Sequence, residues 1–486
     1  MQSASEFILL FDYENGTDPG ETVTDCDCAC PVALPPLANP APPSAPLSPH
    51  PDLRRIALSD RAWVAFVPSF SRVAVLNQAT WEALHAPPAS RPRNAATADI
   101  LATAYHLGLM IADGETRPTP AQAETLLAWL HVTNACNLRC TYCYLEKSGE
   151  SMSSVVGRAA IDATFRSALA AGYRRVEFKY AGGEAPLQLG RVAELHRYAI
   201  AQGADHGLEV RGRILSNGTT LTPRRLALLA ELGMGLMVSL DGLGADHDAQ
   251  RPSLRGGASA AAALDGLRRA LACGLKPTVS ITVTPRSVAG LPALLGALLD
   301  LGVSFTLNLA RPTVAGAPTS AADEERIIEG LRAAYAVIAG RPLRHSLLGA
   351  LLDRTHLGVG HRHACGVGEH YLVFDHHGNV AKCQMLIDKP VTSVAADDPL
   401  ALVRADRSGV QNLAVEAKEG CRTCEWRYWC AGGCAVTTHR ATGRYDARSP
   451  NCRIYQALYP EVLRLEGLRL LALHQPSMRL RRTPTG

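Results

Sequence analysis

The sequence predicts an α/β protein: a partial (β/α)6 barrel, with a cysteine-rich metal-binding module after it and a small winged α+β module before it. Three observations carry this. Strand-like and helix-like runs alternate six times between residues 124 and 312. Cysteines fall in clumps, three at positions 136–143 and seven at positions 365–452. Three short β-like runs followed by helical spacing occupy residues 53–110.

The bulk properties narrow the class. The chain has 486 residues, 47% apolar and 19% charged, so it has the length and composition for real cores rather than disorder. A net charge of +4 is too mild to argue for nucleic acid or an anionic membrane, and no stretch approaches 20 apolar residues without a charge. The opening MQSASEFILLFDYENG lacks a basic n-region, so no secretory signal is expected. In such a chain the 14 cysteines point to metal or catalytic thiolates rather than a disulfide framework.

Residues 1–50 read as a flexible Pro-rich tail, because PVALPPLANPAPPSAPLSPHP cannot pack a core. In residues 51–116, RRIALS, WVAFVPS and RVAVLN read as strands, and QATWEALHA and TADILATAYHLGLMI as helices. Residues 117–318 hold the alternation. LLAWLHVT, RRVEFKYAGG, LEVRGRILS, GLMVSLDG, KPTVSITVT and VSFTLNLA are the strands, each of the first five followed by a helical run ending at a glycine or turn. These units use about 190 residues, too few for a full barrel of about 250, so a partial (β/α)6 TIM barrel is expected, with its chemistry at the C-terminal strand ends. Residues 319–364 read as a two-helix linker (DEERIIEGLRAAYAVIAG, PLRHSLLGALLDRT), residues 365–460 as the metal module, and 461–486 as a helix with a solvated basic tail. Cys273, in a helical run, reads as a core thiol.

Cys136-x3-Cys140-x2-Cys143, with Tyr142 before the last cysteine, follows a strand end. Three thiolates on a four-iron cube leave one iron open for a small molecule. Structural zinc and buried core cysteines are the competing readings; zinc prefers four ligands in two close pairs, and no fourth lies nearby in sequence. CxxxCxxC with the aromatic, ahead of six βα units, resembles the radical S-adenosylmethionine (SAM) superfamily over residues 124–312. The resemblance implies a [4Fe-4S] cluster on Cys136, Cys140 and Cys143, with SAM on its open iron and cleaved to a 5′-deoxyadenosyl radical. It also implies SAM contacts from Gly182, Gly183 and Glu184, from Ser216 in SNGT, from Ser239 before Asp241 and Gly242, and from Arg251 toward the SAM carboxylate. The usual GGEP pattern is displaced by one residue here, Ala185 standing before Pro186.

The later cysteines, Cys365, Cys383, Cys421, Cys424, Cys430, Cys434 and Cys452, resemble the seven-cysteine SPASM module of a radical SAM subgroup. The resemblance implies two auxiliary [4Fe-4S] clusters, one on Cys421, Cys424, Cys430 and Cys452 and one on Cys365, Cys383 and Cys434. The second lacks a fourth cysteine, and His363, His370, His376 and His377 are near in sequence. Sulfatase-maturing relatives place an aspartate base after the second SPASM cysteine; here the residue is Gln384, which leaves the base unidentified. Residues 53–112 resemble peptide-recognition domains that bind a leader peptide as an added strand. Cys26, Cys28 and Cys30 in the tail have no assigned role.

The expected function is therefore oxidative modification of a ribosomally made precursor peptide, as a C–S, C–C or C–O crosslink. Flavodoxin or ferredoxin would supply electrons, and oxygen-sensitive clusters would place the enzyme in the cytoplasm. A radical SAM enzyme acting on a folded protein or small molecule is the alternative, and a redox-sensing protein without turnover the third.

Overall fold

The computed structural model describes residues 8–11, 45–68, 73–115, 124–312, 320–341, 343, 345–353, 355, 357 and 360–474. Cys26, Cys28 and Cys30, most of the Pro-rich stretch and the basic C-terminal segment lie outside them.

The chain opens with β1 (Leu9–Leu10) and β2 (Leu47–Pro49), then β3 (Arg54–Ala57), β4 (Ala62–Phe66) and β5 (Ala74–Asn77). Helices α1 (Gln78–His85) and α2 (Ala95–His106) and strand β6 (Met110–Ala112) complete the small module. Two expectations change here. Parts of the residues 1–50 tail are structured: β1 is an outer strand on β5, and β2 pairs with β6. The second helical run also stops short, because Gly108 turns at φ 78° and its Met110 and Ile111 become strand.

The barrel follows as β7 (Thr125–Thr133), α3 (Ser154–Ala170), β8 (Arg175–Gly182), α4 (Leu189–His206), β9 (Glu209–Ser216), α5 (Pro223–Glu231) and β10 (Gly235–Ser239). Then come α6 (Ala245–Gln250), α7 (Ala260–Ala272), β11 (Thr278–Val283), α8 (Leu291–Asp300) and β12 (Ser304–Leu309). All six expected strands form and pair in parallel in the order β12-β11-β10-β9-β8-β7. Eight of the nine residues of β7 are buried, as covering on both faces requires. The short α6 breaks no expected element but was not legible in ADHDAQ. Cys273 is exposed, not core. The buried face of α7 (Ala263, Leu267, Ala270) would continue onto Cys273, but the helix ends at Ala272 and Gly274 (φ 76°) redirects the chain.

After α9 (Ala321–Ala339) the second linker helix is absent among the described residues, which form turns at 348–350. Leu347, Leu348, Ala350, Leu351 and Leu352 are all buried, more than one helical face could bury. The segment instead caps the barrel edge: Leu307 N donates to Ala350 O at 2.8 Å, and Tyr335 Oη to Leu351 O at 2.6 Å.

The C-terminal region contains β13 (Tyr371–Phe374), β14 (Asn379–Ala381), β15 (Pro390–Ser393), α10 (Pro399–Ala405), α11 (Arg427–Cys430), α12 (Ala435–Thr442) and α13 (Cys452–Leu473). Its β13 pairs in parallel with β7, so the sheet continues to nine strands and, among the described residues, does not close on itself. The expected boundary at 460/461 falls inside α13. That helix crosses the N-terminal sheet, where a Cβ at Gly467 would come within 2.4 Å of Val64. Phe66 meets Trp426 and Trp429 with ring centroids 5.9 and 5.4 Å apart, so the small module is packed onto the cysteine-rich region. No helix among the described residues is long and apolar enough to cross a membrane.

Candidate active site and the C-terminal thiol sets

The C-terminal ends of β7 to β11 converge on the first cysteine loop. Its backbone is held on two sides. Arg139 N donates to Pro252 O (2.8 Å), Thr141 N to Gln250 O (2.9 Å) and Leu254 N to Asn137 O (2.8 Å). On the other side Gly183 N donates to Thr133 O (2.7 Å) and Glu184 N to Ala135 O (2.8 Å). A Cβ at Gly182 or at Gly183 would come within 2.2 Å of one of those two carbonyls. The glycine pair therefore admits the cysteine loop's own backbone, a closer constraint than the ligand approach expected of it.

Each thiol of the loop has a polar neighbour. Cys136 Sγ accepts from Leu138 N (3.4 Å) and Asn217 Nδ2 (4.0 Å), and Cys143 Sγ from Lys147 Nζ (3.0 Å). Cys140 Sγ lies 3.9 Å from Arg251 Nη1. Burial pushes the Cys136 and Cys140 thiols up, and Lys147 and Arg251 act against it. Lys147 and Asn217 were not singled out in the sequence; Lys147, four residues after the last cysteine, was the available signal.

Glu184 is buried, and its carboxylate is built into the strand ends. Oε1 accepts from Ser216 Oγ (2.7 Å) and Thr220 Oγ1 (2.9 Å), and Oε2 from Asn217 N (2.7 Å). Burial raises its pKa; these donors and Arg225 work in the other direction. Arg251 is buried. Its Nε donates to Asp241 Oδ2 (2.7 Å) and its Nη2 to Asp241 Oδ1 (3.1 Å), a two-pronged pair. Tyr142 Oη donates to the same carboxylate, and Arg251 lies over the Tyr142 ring at 5.3 Å. Asp241, fixed further by Thr282 N at 2.8 Å, is thus the hub joining β10, β11 and the cysteine loop. Ser239 ends β10 opposite Ser280.

The remaining cysteines separate in space. Cys424, Cys430 and Cys452 lie within electrostatic range of Cys421. Cys365, Cys383 and Cys434 instead share one apolar cluster with Trp129 and Val373. His376 and His377 sit in the β13–β14 turn against Glu150. The His370 ring packs on the backbone beside Cys365, 2.6 Å from where a Gly366 Cβ would stand, and burial lowers its pKa to about 4. Gln384 is buried and accepts from Tyr371 Oη at 3.1 Å.

The donor set discriminates between metals. None of the described cysteines is in a disulfide. No three of their Sγ atoms lie within 4.8 Å of one another, whereas thiolates on one tetrahedral zinc stand about 3.8 Å apart. All-sulfur sets wider than a single ion's shell, with cations beside the first, fit a polynuclear iron–sulfur group.

A family model described as "Radical SAM superfamily" matches residues 130–288. The chain is 26% identical over 330 residues to the "Serine-type anaerobic sulfatase-maturating enzyme" of Klebsiella aerogenes, covering 64% of this chain and 81% of that protein. It is 31% identical over 168 residues to the "GTP 3',8-cyclase" of Pelotomaculum thermopropionicum, covering 34% and 48%. The solved structure described as "Native anSMEcpe with bound AdoMet" aligns at TM-score 0.57 and 17% identity over 71% of this chain and 98% of that one, so the two share a fold.

Proposed function

We propose that this chain, a radical SAM enzyme using [4Fe-4S] clusters and SAM, oxidatively modifies a ribosomally made precursor peptide. When bound, these cofactors supply a 5′-deoxyadenosyl radical that abstracts a substrate hydrogen. Cys136, Cys140 and Cys143 would hold the SAM-binding cluster. Cys421, Cys424, Cys430 and Cys452 would hold one auxiliary cluster, and Cys365, Cys383 and Cys434 the other. The single observation that carries this reading is the presence of three separate thiol sets in one chain, each too wide for one ion.

The protein's own groups position and insulate. Glu184, oriented by Ser216, Thr220 and Asn217, presents a buried carboxylate at the strand ends, suited to the SAM ammonium. Arg251 spends Nε and Nη2 on Asp241, so only Nη1, on the Cys140 side, is left to meet a carboxylate. Tyr142 and Asp241 fix that guanidinium against the loop. Gly182 and Gly183 keep the loop seated, and Ser239 offers a hydroxyl at the end of β10.

The small N-terminal sheet supports a peptide substrate, since extended peptides add to exposed sheet edges. The β5 edge carries the chain's own Leu9–Leu10, held also by Thr80 Oγ1 donating to Ile8 O at 2.9 Å. Leader peptide would therefore add at the outer edge of β3 or displace β1. Removing residues 1–11 raises peptide affinity in the second case and leaves it unchanged in the first. Deleting the whole module is a poorer test, because Phe66 and Val64 pack against Trp426, Trp429 and α13.

Similarity to a serine-type sulfatase-maturating enzyme favours a second reading, maturation of a protein substrate. Gln384, amide rather than carboxylate, weighs against that chemistry. Mass spectrometry of the peptide encoded beside this gene, after co-expression, separates the two. A loss of about 2 Da per crosslink, two hydrogens, is expected; an unmodified peptide would reject the proposal.

A further inference from the structure

Lys418 is a buried cation that the function described so far does not use. Its side chain is 1% exposed, and proteins seldom bury a lysine without a partner. Its neighbouring carboxylates in sequence are committed elsewhere, Glu416 to Arg362 and Glu419 to Arg444. Burial lowers the Lys418 pKa, and Cys421, Cys365, Cys430 and Cys434 act against that, holding the charge on its ammonium. Those four belong to two different sets: Cys421 and Cys430 to one, Cys365 and Cys434 to the other.

The surrounding backbone is built around this side chain. The Lys418 carbonyl accepts from Cys421 N at 3.1 Å, and its Nζ donates to Ala431 O at 2.7 Å. Ala431 is the only non-glycine residue with positive φ among the described residues (45°), and Gly432 and Gly433 follow at 76° and 70°. A Cβ at Gly432 would stand 2.5 Å from Lys418 Cδ. This strained loop directs Cys430 to one set and Cys434 to the other, with the lysine threaded beneath it.

We propose that the Lys418 ammonium is a shared counter-charge for the two auxiliary clusters, raising their reduction potentials so that they can accept an electron. This rests on the two-cluster reading above. A thiolate-ligated cluster is anionic and gains another negative charge on reduction; a fixed cation in a poorly screened interior stabilises the reduced form more than the oxidised one.

The test is a potentiometric titration, followed by electron paramagnetic resonance, of anaerobically reconstituted full-length protein, with iron counted on each sample. Native protein binding only about four irons would reject the two-cluster reading itself. With about twelve bound, Lys418→Met is expected to lower an auxiliary potential by at least a tenfold change in the redox equilibrium, about 59 mV for one electron. Lys418→Arg stays near native. A fully loaded Lys418→Met protein with unchanged potentials overturns the proposal. If that variant loses iron, Lys418→Gln, which keeps a donor for Ala431, takes its place under the same criterion. If the glutamine variant also loses iron while arginine keeps it, charge is required and the proposal stands. Iron loss in all three makes Lys418 a structural peg and overturns it.

Discussion

The barrel thiols and the C-terminal thiols are held in opposite ways. Cys136, Cys140 and Cys143 are partly exposed on a loop whose backbone is bonded to the strand-end loops around it. Its cationic neighbours are few: Lys147 bonds Cys143 and acts on Cys136, and Arg251 lies beside Cys140. In the C-terminal region Cys365, Cys383, Cys421 and Cys434 are buried inside apolar clusters, and the secondary structure between them is short. There four of the seven thiols are part of the core itself, with Cys424, Cys430 and Cys452 half-buried beside them, and a cluster would do the work of missing side chains. On the proposed assignment, the site that exchanges a small molecule is the more open one, and the sites that pass charge are the more buried.

The largest expected effect comes from Cys140→Ala. SAM cleavage should vanish while roughly eight of about twelve irons remain and the fold is unchanged; full cleavage activity in this variant would sink the three-cluster assignment. Cys424→Ala should do the reverse, sparing uncoupled SAM cleavage but losing peptide product, and increasing proteolysis within residues 415–455. Equal protease resistance of the two variants would erase the contrast drawn above.

Asp241→Asn tests the barrel side. It leaves a buried Arg251 without its counter-charge, and should cost about 3 kcal/mol in denaturant unfolding of the metal-free protein. A negligible cost would show that Arg251 finds water or another partner. The smallest effect is expected of Glu184→Gln, which keeps the shape but removes the charge. SAM affinity measured by equilibrium dialysis should fall about tenfold, some 1.4 kcal/mol; unchanged affinity would leave Glu184 only a strut between β8 and β9.

Much of this was legible in the primary structure. The six βα units carry period-2 and period-3.6 patterns strong enough that every barrel strand forms where expected, and the cysteine intervals alone separated a three-thiol loop from a seven-thiol module. Local pattern failed where burial came from tertiary partners. Residues 345–353 look helical but cap a sheet edge with apolar groups on all sides. Leu9–Leu10 sits in a segment with no helical or strand period and becomes a strand only because β5 offers unpaired backbone groups. Cys273 follows the buried face of its helix by count, but that helix ends one residue too soon.

The sequence by itself determined the fold class, the thiol inventory and its two groupings along the chain, because spacing and periodicity are one-dimensional quantities. Only the tertiary structure decided which charge meets which thiol. Asp241 and Arg251 lie ten residues apart, and Arg251 lies 111 residues from Cys140. Lys418 reaches thiols 53 residues upstream, at Cys365, as well as those just downstream. Such meetings depend on how strand ends and loops converge in three dimensions, and electrostatic coupling follows distance through the fold rather than distance along the chain.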